Sequence, residues 1–247
     1  GTEFDPAKPA IVFLHGAGFD RTAWRLQTRW FAHHGRGVLA VDFPAHGRSE
    51  GPALDSIGAM ADWTARLIAA AGLKQAALVG HSMGALVALD CAARHGDRVR
   101  ALGLCGVASE MPVHPEMLES AKANTAKVQE LMTFWGMGSA LHKGGMVSPG
   151  LWLRRESLAV LAGNKPDVIH TDLAACNAYK DAPARAAAVK CPTVFVLGDG
   201  DLMTPAPKAK ALVAAIAGST AVTIPNCGHF MMVERPDETL EALKSRV

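Results

Sequence analysis

The sequence predicts an α/β fold: a mostly parallel, doubly wound sheet interrupted by an inserted helical cap. Three observations predict it. Short, near-continuous apolar runs alternate with segments of helical spacing. Loops containing glycine follow several of those runs. Between Val107 and Ala182 the alternation stops, leaving helical segments and no convincing strand. Apolar runs without polar alternation suit strands covered on both faces, as in parallel sheets with crossover helices.

Taken in order, Ala10 to Leu14 reads as the first strand and runs into His15-Gly16-Ala17-Gly18. Helical character from Arg21 to His34 stops at Gly35, and Gly37 to Asp42 is the second strand. Ile57, Met60, Ala61, Leu67 and Ile68 recur at helical spacing in a helix from Ile57 to Ala71, ended by Gly72. Ala76 to Gly80 is a third strand, Ala85 to His95 a helix and Val99 to Cys105 a fourth strand. Alternation resumes with the strand Thr193 to Leu197, a helix from Pro207 to Ala217, the strand Ala221 to Ile224 and a final helix from Asp237 to Arg246. Residues 1–106 and 183–247 are therefore expected to form the core, and 107–182 a lid over the strand ends, where open α/β sheets place ligands.

Composition narrows the function. The chain has 247 residues, 49% hydrophobic and 19% charged, which fits a globular domain and not a disordered one. Its formal net charge of +2 is scattered, with no Lys/Arg run that would track a phosphate backbone, so no nucleic-acid partner is expected. Five cysteines lie far apart without CxxC spacing, which argues for buried free thiols and against a zinc site or disulfide framework. No metal-ligand spacing or G-x-G-x-x-G loop occurs, so no cofactor is expected. Gly1 to Pro9 is polar, and no stretch is apolar enough to span a bilayer. The expectation is no membrane partner and, by default, a cytoplasmic location.

Chemistry concentrates at Gly80-His81-Ser82-Met83-Gly84, between an apolar strand and a helix. A strand-to-helix turn this tight strains the central residue and lifts its side chain above the sheet at a helix N-terminus. The bland alternative is a glycine-bounded turn with a helix-capping serine. A serine hydroxyl becomes nucleophilic only when a base takes its proton. Of 10 histidines, His229 follows the last strand on a loop containing Gly228, and it is the expected base. A carboxylate must orient that base. Asp199 and Asp201 both follow the fifth strand, and Asp201, further into the loop, is favoured over Asp199. The order Ser, Asp, His is the order found with a nucleophile turn of this kind. Two N–H donors should stabilise the oxyanion of acyl transfer. Met83 supplies one, and the His15 to Gly18 loop the other, from Ala17 or, failing that, Gly18.

Together, His15 to Gly18, Asp42-Phe43-Pro44-Ala45-His46-Gly47-Arg48-Ser49, Gly80 to Gly84, Asp201 to Pro205 and Gly228-His229 resemble the α/β-hydrolase superfamily. The resemblance covers almost the whole chain outside the lid, and implies the roles given above for Ser82, Asp201 and His229. It departs at two places. The antiparallel strand pair that usually opens the family has no counterpart in Gly1 to Pro9. Ala45 stands where the family's D-x-P-G-x-G-x-S loop has glycine, which suggests a less demanding turn. Asp42 reads as a loop-fixing residue and not a catalytic one.

Serine at position 82, where carboxylate-nucleophile branches have aspartate, argues against haloalkane dehalogenases and epoxide hydrolases. The lid contains Met111, Met117, Met132, Phe134, Trp135, Met137, Met146 and Trp152. Thioethers with aromatics suit an apolar, adaptable pocket. Expected pocket residues are His15, His81, Phe134, Trp135, Met137 and Trp152. The preferred activity is hydrolysis of small to medium carboxylic esters, with a small-molecule ester as the partner. Alternatives are a lactonase, a thioesterase or a C–C bond hydrolase of a ring-cleavage pathway. The last usually needs a carboxylate anchor, for which only Arg154-Arg155 suggests itself. A ligand-binding receptor on the same fold is the non-enzymatic alternative.

Overall fold

The structure, a computed structural model, describes residues 4–143 and 152–247. Six strands form one sheet: β1 (Ala10–Leu14), β2 (Gly37–Ala40), β3 (Ala76–His81), β4 (Val99–Cys105), β5 (Thr193–Gly198) and β6 (Thr220–Ile224). Their order is β2-β1-β3-β4-β5-β6, and every pairing is parallel. Every residue of β1, β3 and β5 is buried, which explains their unbroken apolar sequences.

Helices cover both faces. α1 (Arg25–His33) packs on the edge strand β2 and against α11 (Pro236–Lys244), which lies along β5 and β6. α2 (Ile57–Ala70) packs on α3 (Met83–Arg94), which spans β1, β3 and β4. On this side α3 also meets α8 (Ala182–Ala188), and α8 meets α9 (Lys210–Ala215). On the α1 side Phe13 packs against Trp24 and Phe31, with ring centroids 5.2 and 5.9 Å apart. Full burial of a side chain like Phe13 contributes about 1.5–3 kcal/mol. Between β4 and β5 stand α4 (Pro115–Lys122), α5 (Ala126–Gly136), α6 (Leu153–Ala162) and α7 (Val168–Ala178). A short α10 (Met231–Glu234) follows the last strand. No described helix is long and apolar enough to cross a membrane.

The loop after β2 corrects two sequence expectations. The strand stops at Ala40 and does not reach Asp42, because the Asp42 carboxylate turns the chain. It accepts the N–H groups of Arg21 (2.7 Å) and Arg48 (2.9 Å) and pairs with the Arg21 guanidinium. The turn at Ala45 is no less demanding than a glycine turn: Ala45 adopts φ +72°, in the left-handed region. The expected helix from Arg21 to His34 is a short tight turn over Arg21–Trp24, capped by Asp20, followed by α1.

Candidate active site

Ser82 links β3 to α3 in a conformation that L-residues rarely adopt, φ +53° and ψ −115°. The crossing is tight. A Cβ at Gly80 would lie 2.1 Å from the Gly84 carbonyl oxygen, and one at Gly84 would lie 2.4 Å from that of Leu14. Strain at such a residue costs about 1–3 kcal/mol and persists only where its surroundings enforce it. Here the Ser82 N–H donates to the Cys105 carbonyl at 2.9 Å. Its own carbonyl accepts from Ala85 and Leu86 at 2.9 and 3.2 Å.

His229 is fixed from three sides. Its N–H donates to the Gly136 carbonyl at 2.7 Å, and its carbonyl accepts from His81 Nε2 at 2.9 Å. Its Nδ1 lies 2.7 Å from Asp201 Oδ2. A carboxylate there places the proton on Nδ1 and leaves Nε2 as the basic nitrogen. Nε2 is buried and has no hydrogen-bond partner among the described residues. Burial opposes ionisation of Asp201. The His229 charge and hydrogen bond, with the Thr204 N–H and hydroxyl, nonetheless hold its carboxyl down at about 2. Asp201 Oδ1 also accepts the N–H groups of Met203 and Thr204 at 2.9 and 2.8 Å, so the carboxylate is held in one orientation. Asp199 serves elsewhere: its Oδ1 accepts the Cys227 N–H at 3.2 Å and braces the loop that carries His229. His81 is neutral, since burial and then His229 push it down to about 3.

Two N–H groups beside Ser82, those of Ala17 and Met83, make no hydrogen bond among the described residues. Gly18, the alternative to Ala17, is engaged: its N–H donates to Asp172 Oδ2 at 2.8 Å. Ala17 borders the cavity described next, whereas the Met83 side chain is buried beneath the turn.

Ser82, His229, Thr204 and Ala17 open onto a cavity of about 410 Å³. Its far walls include Met111, Met117, Met132, Trp135, Leu173 and Phe230. Of the six residues expected at a pocket, His81 and Trp135 border this cavity and four others do not. His15 is 0% exposed and lies behind the loop; its Nε2 accepts the Phe43 N–H at 3.1 Å, and its Nδ1–H donates to the Gly16 carbonyl at 2.9 Å. Phe134 is 53% exposed: Met132 and Trp135, three residues apart, share the inward face of α5, and Phe134 falls on the other. Met137, 1% exposed, caps α5 and is buried away from the cavity. Trp152, 62% exposed, stands before α6 under the Arg155 guanidinium; with Arg154 and Arg155 it borders a separate surface groove. Met146 lies outside the described residues.

Sequence reasoning missed five polar residues that brace the site: Thr204, His46, Asn164, Asp172 and Glu234. Glu234 is buried and receives N–H groups from Gly138, Gly228 and Phe230 at 3.0, 3.0 and 3.1 Å, which joins the end of α5 to the His229 loop. Burial raises its carboxyl above the usual range despite those donors. Thr204, beside Asp201, and His46, in the Asp42 to Ser49 loop, stand within segments that the sequence marks, but nothing there names their partners; Asn164, Asp172 and Glu234 act across 96 or more residues, or through backbone groups that no motif marks.

A parallel sheet with a strained serine at the β3–α3 turn, opening on the same cavity as a histidine–carboxylate pair, is the arrangement of an α/β hydrolase. The chain belongs to the alpha/beta hydrolase family, whose sequence profile matches residues 11–242. It is 31% identical to the pimeloyl-[acyl-carrier protein] methyl ester esterase of Chromobacterium violaceum, over 95% of this chain and 92% of the relative. It is 24% identical to the (E)-2-((N-methylformamido)methylene)succinate hydrolase of Acinetobacter baylyi, over 95% and 89%. The enol-lactonase from Burkholderia xenovorans superposes with a TM-score of 0.87 at 23% identity, covering 96% of this chain and 90% of the other. A thermophilic esterase from Thermogutta terrifontis superposes at 0.83, also at 23% identity, over 96% and 88%.

Proposed function

We propose that the protein is a serine hydrolase that cleaves small to medium carboxylic esters through an acyl-enzyme, with an apolar acyl group held under the inserted helices. The observation that carries this reading is the His229 imidazole. Its Nδ1 is bonded to a buried, ionised Asp201, and its Nε2 lies unpartnered at a cavity shared with Ser82. Ser82 Oγ attacks the ester carbonyl while His229 Nε2 takes its proton. The Ala17 and Met83 N–H groups stabilise the alkoxide. Collapse expels the alcohol, which receives the proton from His229, and water then repeats the sequence to release the acid.

The cavity supports the substrate class. No Lys or Arg is among the described residues that line it, so a carboxylate on the acyl group would have no permanently charged partner there, with His114 the one side chain able to take a positive charge on the wall formed by the inserted segment. That disfavours a C–C hydrolase acting on a ring-cleavage acid. Lactones and thioesters need the same acyl-transfer chemistry and would use the same residues. The test is turnover of p-nitrophenyl acetate and butyrate with labelling by a fluorophosphonate. Turnover and labelling that Ser82→Ala abolishes are expected. Neither reaction in the folded wild-type protein would favour a ligand-binding role and sink the hydrolase reading.

A further inference from the structure

The inserted helices do more than roof the cavity, for they hold the loop that carries the Ala17 N–H. Three consecutive peptide units of that loop are pinned. The Gly16–Ala17 unit is held at its carbonyl by His15 Nδ1–H (2.9 Å) and the Phe19 N–H (3.1 Å). The Ala17–Gly18 unit is held at its N–H by Asp172 Oδ2 (2.8 Å), from α7. The Gly18–Phe19 unit is held at its carbonyl by Asn164 Nδ2 (2.6 Å), just after α6. Gly18 itself sits at φ +66°, where an added Cβ would lie 2.9 Å from Leu161 and 3.1 Å from Ile169, both in the inserted helices.

Asp172 is completely buried, and its Oδ2 is shared with His46 Nε2 at 2.8 Å. The other His46 nitrogen, Nδ1, faces the Pro44 carbonyl at 3.1 Å. With acceptors at both nitrogens, His46 is favoured in its charged form: burial works against that charge, but the Asp172 hydrogen bond and charge outweigh it and raise the imidazole, while Asp172 Oδ1 is left without a partner among the described residues. A buried carboxylate is costly unless it is used. Here it is spent on a backbone N–H one residue from the oxyanion donor.

We propose that Asp172 and Asn164 are positioning residues that aim the Ala17 N–H at the developing oxyanion, so that the inserted helices set the rate of acyl transfer as well as substrate fit. The inference rests on the acyl-transfer reading above. It predicts losses in kcat, not in KM, because only the transition state carries the negative charge.

The experiment measures kcat and KM for p-nitrophenyl butyrate, and the Ki of an alkyl trifluoromethyl ketone, in Asn164→Ala, Asp172→Asn and Asp172→Ala. Ser82 Oγ adds to the ketone carbonyl, its proton passes to His229, and the carbonyl oxygen becomes an alkoxide facing Ala17. Removing one oxyanion donor outright costs about 100- to 1,000-fold, so misaiming one should lower kcat about 10-fold in Asn164→Ala and about 100-fold in Asp172→Ala. KM should change by less than about 3-fold, and the inhibitor Ki should rise by the same factor as kcat/KM falls. If Asp172→Ala does not fold, Asn164→Ala and Asp172→Asn decide. Folded variants with wild-type kcat and Ki, or with the loss confined to KM or to Tm, would overturn the inference. A wild-type protein that turns over no ester and takes no fluorophosphonate would overturn the acyl-transfer reading itself, and this one with it.

Discussion

Ser82→Ala removes a single oxygen from a residue whose backbone is held by Cys105, Ala85 and Leu86, so the fold should survive while activity does not. A fall in kcat of about 10⁴-fold or more is expected for loss of the nucleophile, checked by p-nitrophenyl butyrate turnover. Asp201→Asn separates the two aspartates. It can present an amide to His229 and stabilise the wrong tautomer, at a cost of about 10⁴-fold in kcat. Asp199→Asn keeps an acceptor for the Cys227 N–H and should cost less than about 10-fold, the size of a positioning defect. A larger loss for Asp199→Asn than for Asp201→Asn would reverse the assignment. Ala45 gives a prediction in the opposite direction. At φ +72° it carries a left-handed penalty of about 1–2 kcal/mol, partly offset by the entropy glycine loses on folding, so Ala45→Gly should raise the unfolding free energy by about 1 kcal/mol or less, read by urea denaturation.

At the scale of elements, the four inner strands β1, β3, β4 and β5 were legible because burial on both faces writes them as near-unbroken apolar runs, whereas the edge strands β2 and β6 are only partly buried and carry a weaker signal. Ala10–Leu14 and Val99–Cys105 agree to the residue. β2 was overextended because Val41 still donates to Phe13, and nothing in the sequence shows the Asp42 carboxylate turning the chain. The pairing of His229 with Asp201, and the placing of Ser82 on the same cavity as His229, follow from positions readable in the sequence, since each residue follows a strand and parallel strands bring their carboxyl ends to one edge. The cavity wall was not legible. Phe134 and Trp135 are adjacent in sequence, and which of them faces inward depends on how α5 is rotated. The joints between the inserted helices and the core were invisible as well, because their polar partners are backbone groups far away in the chain. Glu234 tests one joint: Glu234→Ala leaves buried N–H groups at Gly138, Gly228 and Phe230 unsatisfied. About 3 kcal/mol or more of stability should be lost, read by urea denaturation. A change under about 0.5 kcal/mol would show that the joint carries nothing.

The whole molecule should be acid-labile well above the carboxylate range. Burial, followed by the charge of His46, pushes His15 down to about 4, and His81 lies at about 3. The unfolded chain therefore takes up two protons near pH 6.5 that the fold refuses. Stability should fall between pH 6.5 and about 4, by up to about 2.7 kcal/mol per pH unit for two such groups. His46 opposes part of this. Burial works against its charge, but Asp172 outweighs burial and raises it, so its contribution is full below pH 6.5 and is lost as pH rises through its raised value. Asp201 adds stability above 3.8 that is lost only as pH falls toward 2. A Tm that stays flat from pH 6.5 to 4.5 would contradict this balance.

The most direct measurement is mass spectrometry of the protein quenched in acid during turnover of p-nitrophenyl butyrate. The expected result is one butyryl group on the peptide containing Ser82, absent in Ser82→Ala and slow to clear in His229→Ala where any forms. Ester turnover with no adduct at Ser82, or an adduct on another residue that Ser82→Ala leaves intact, would contradict it.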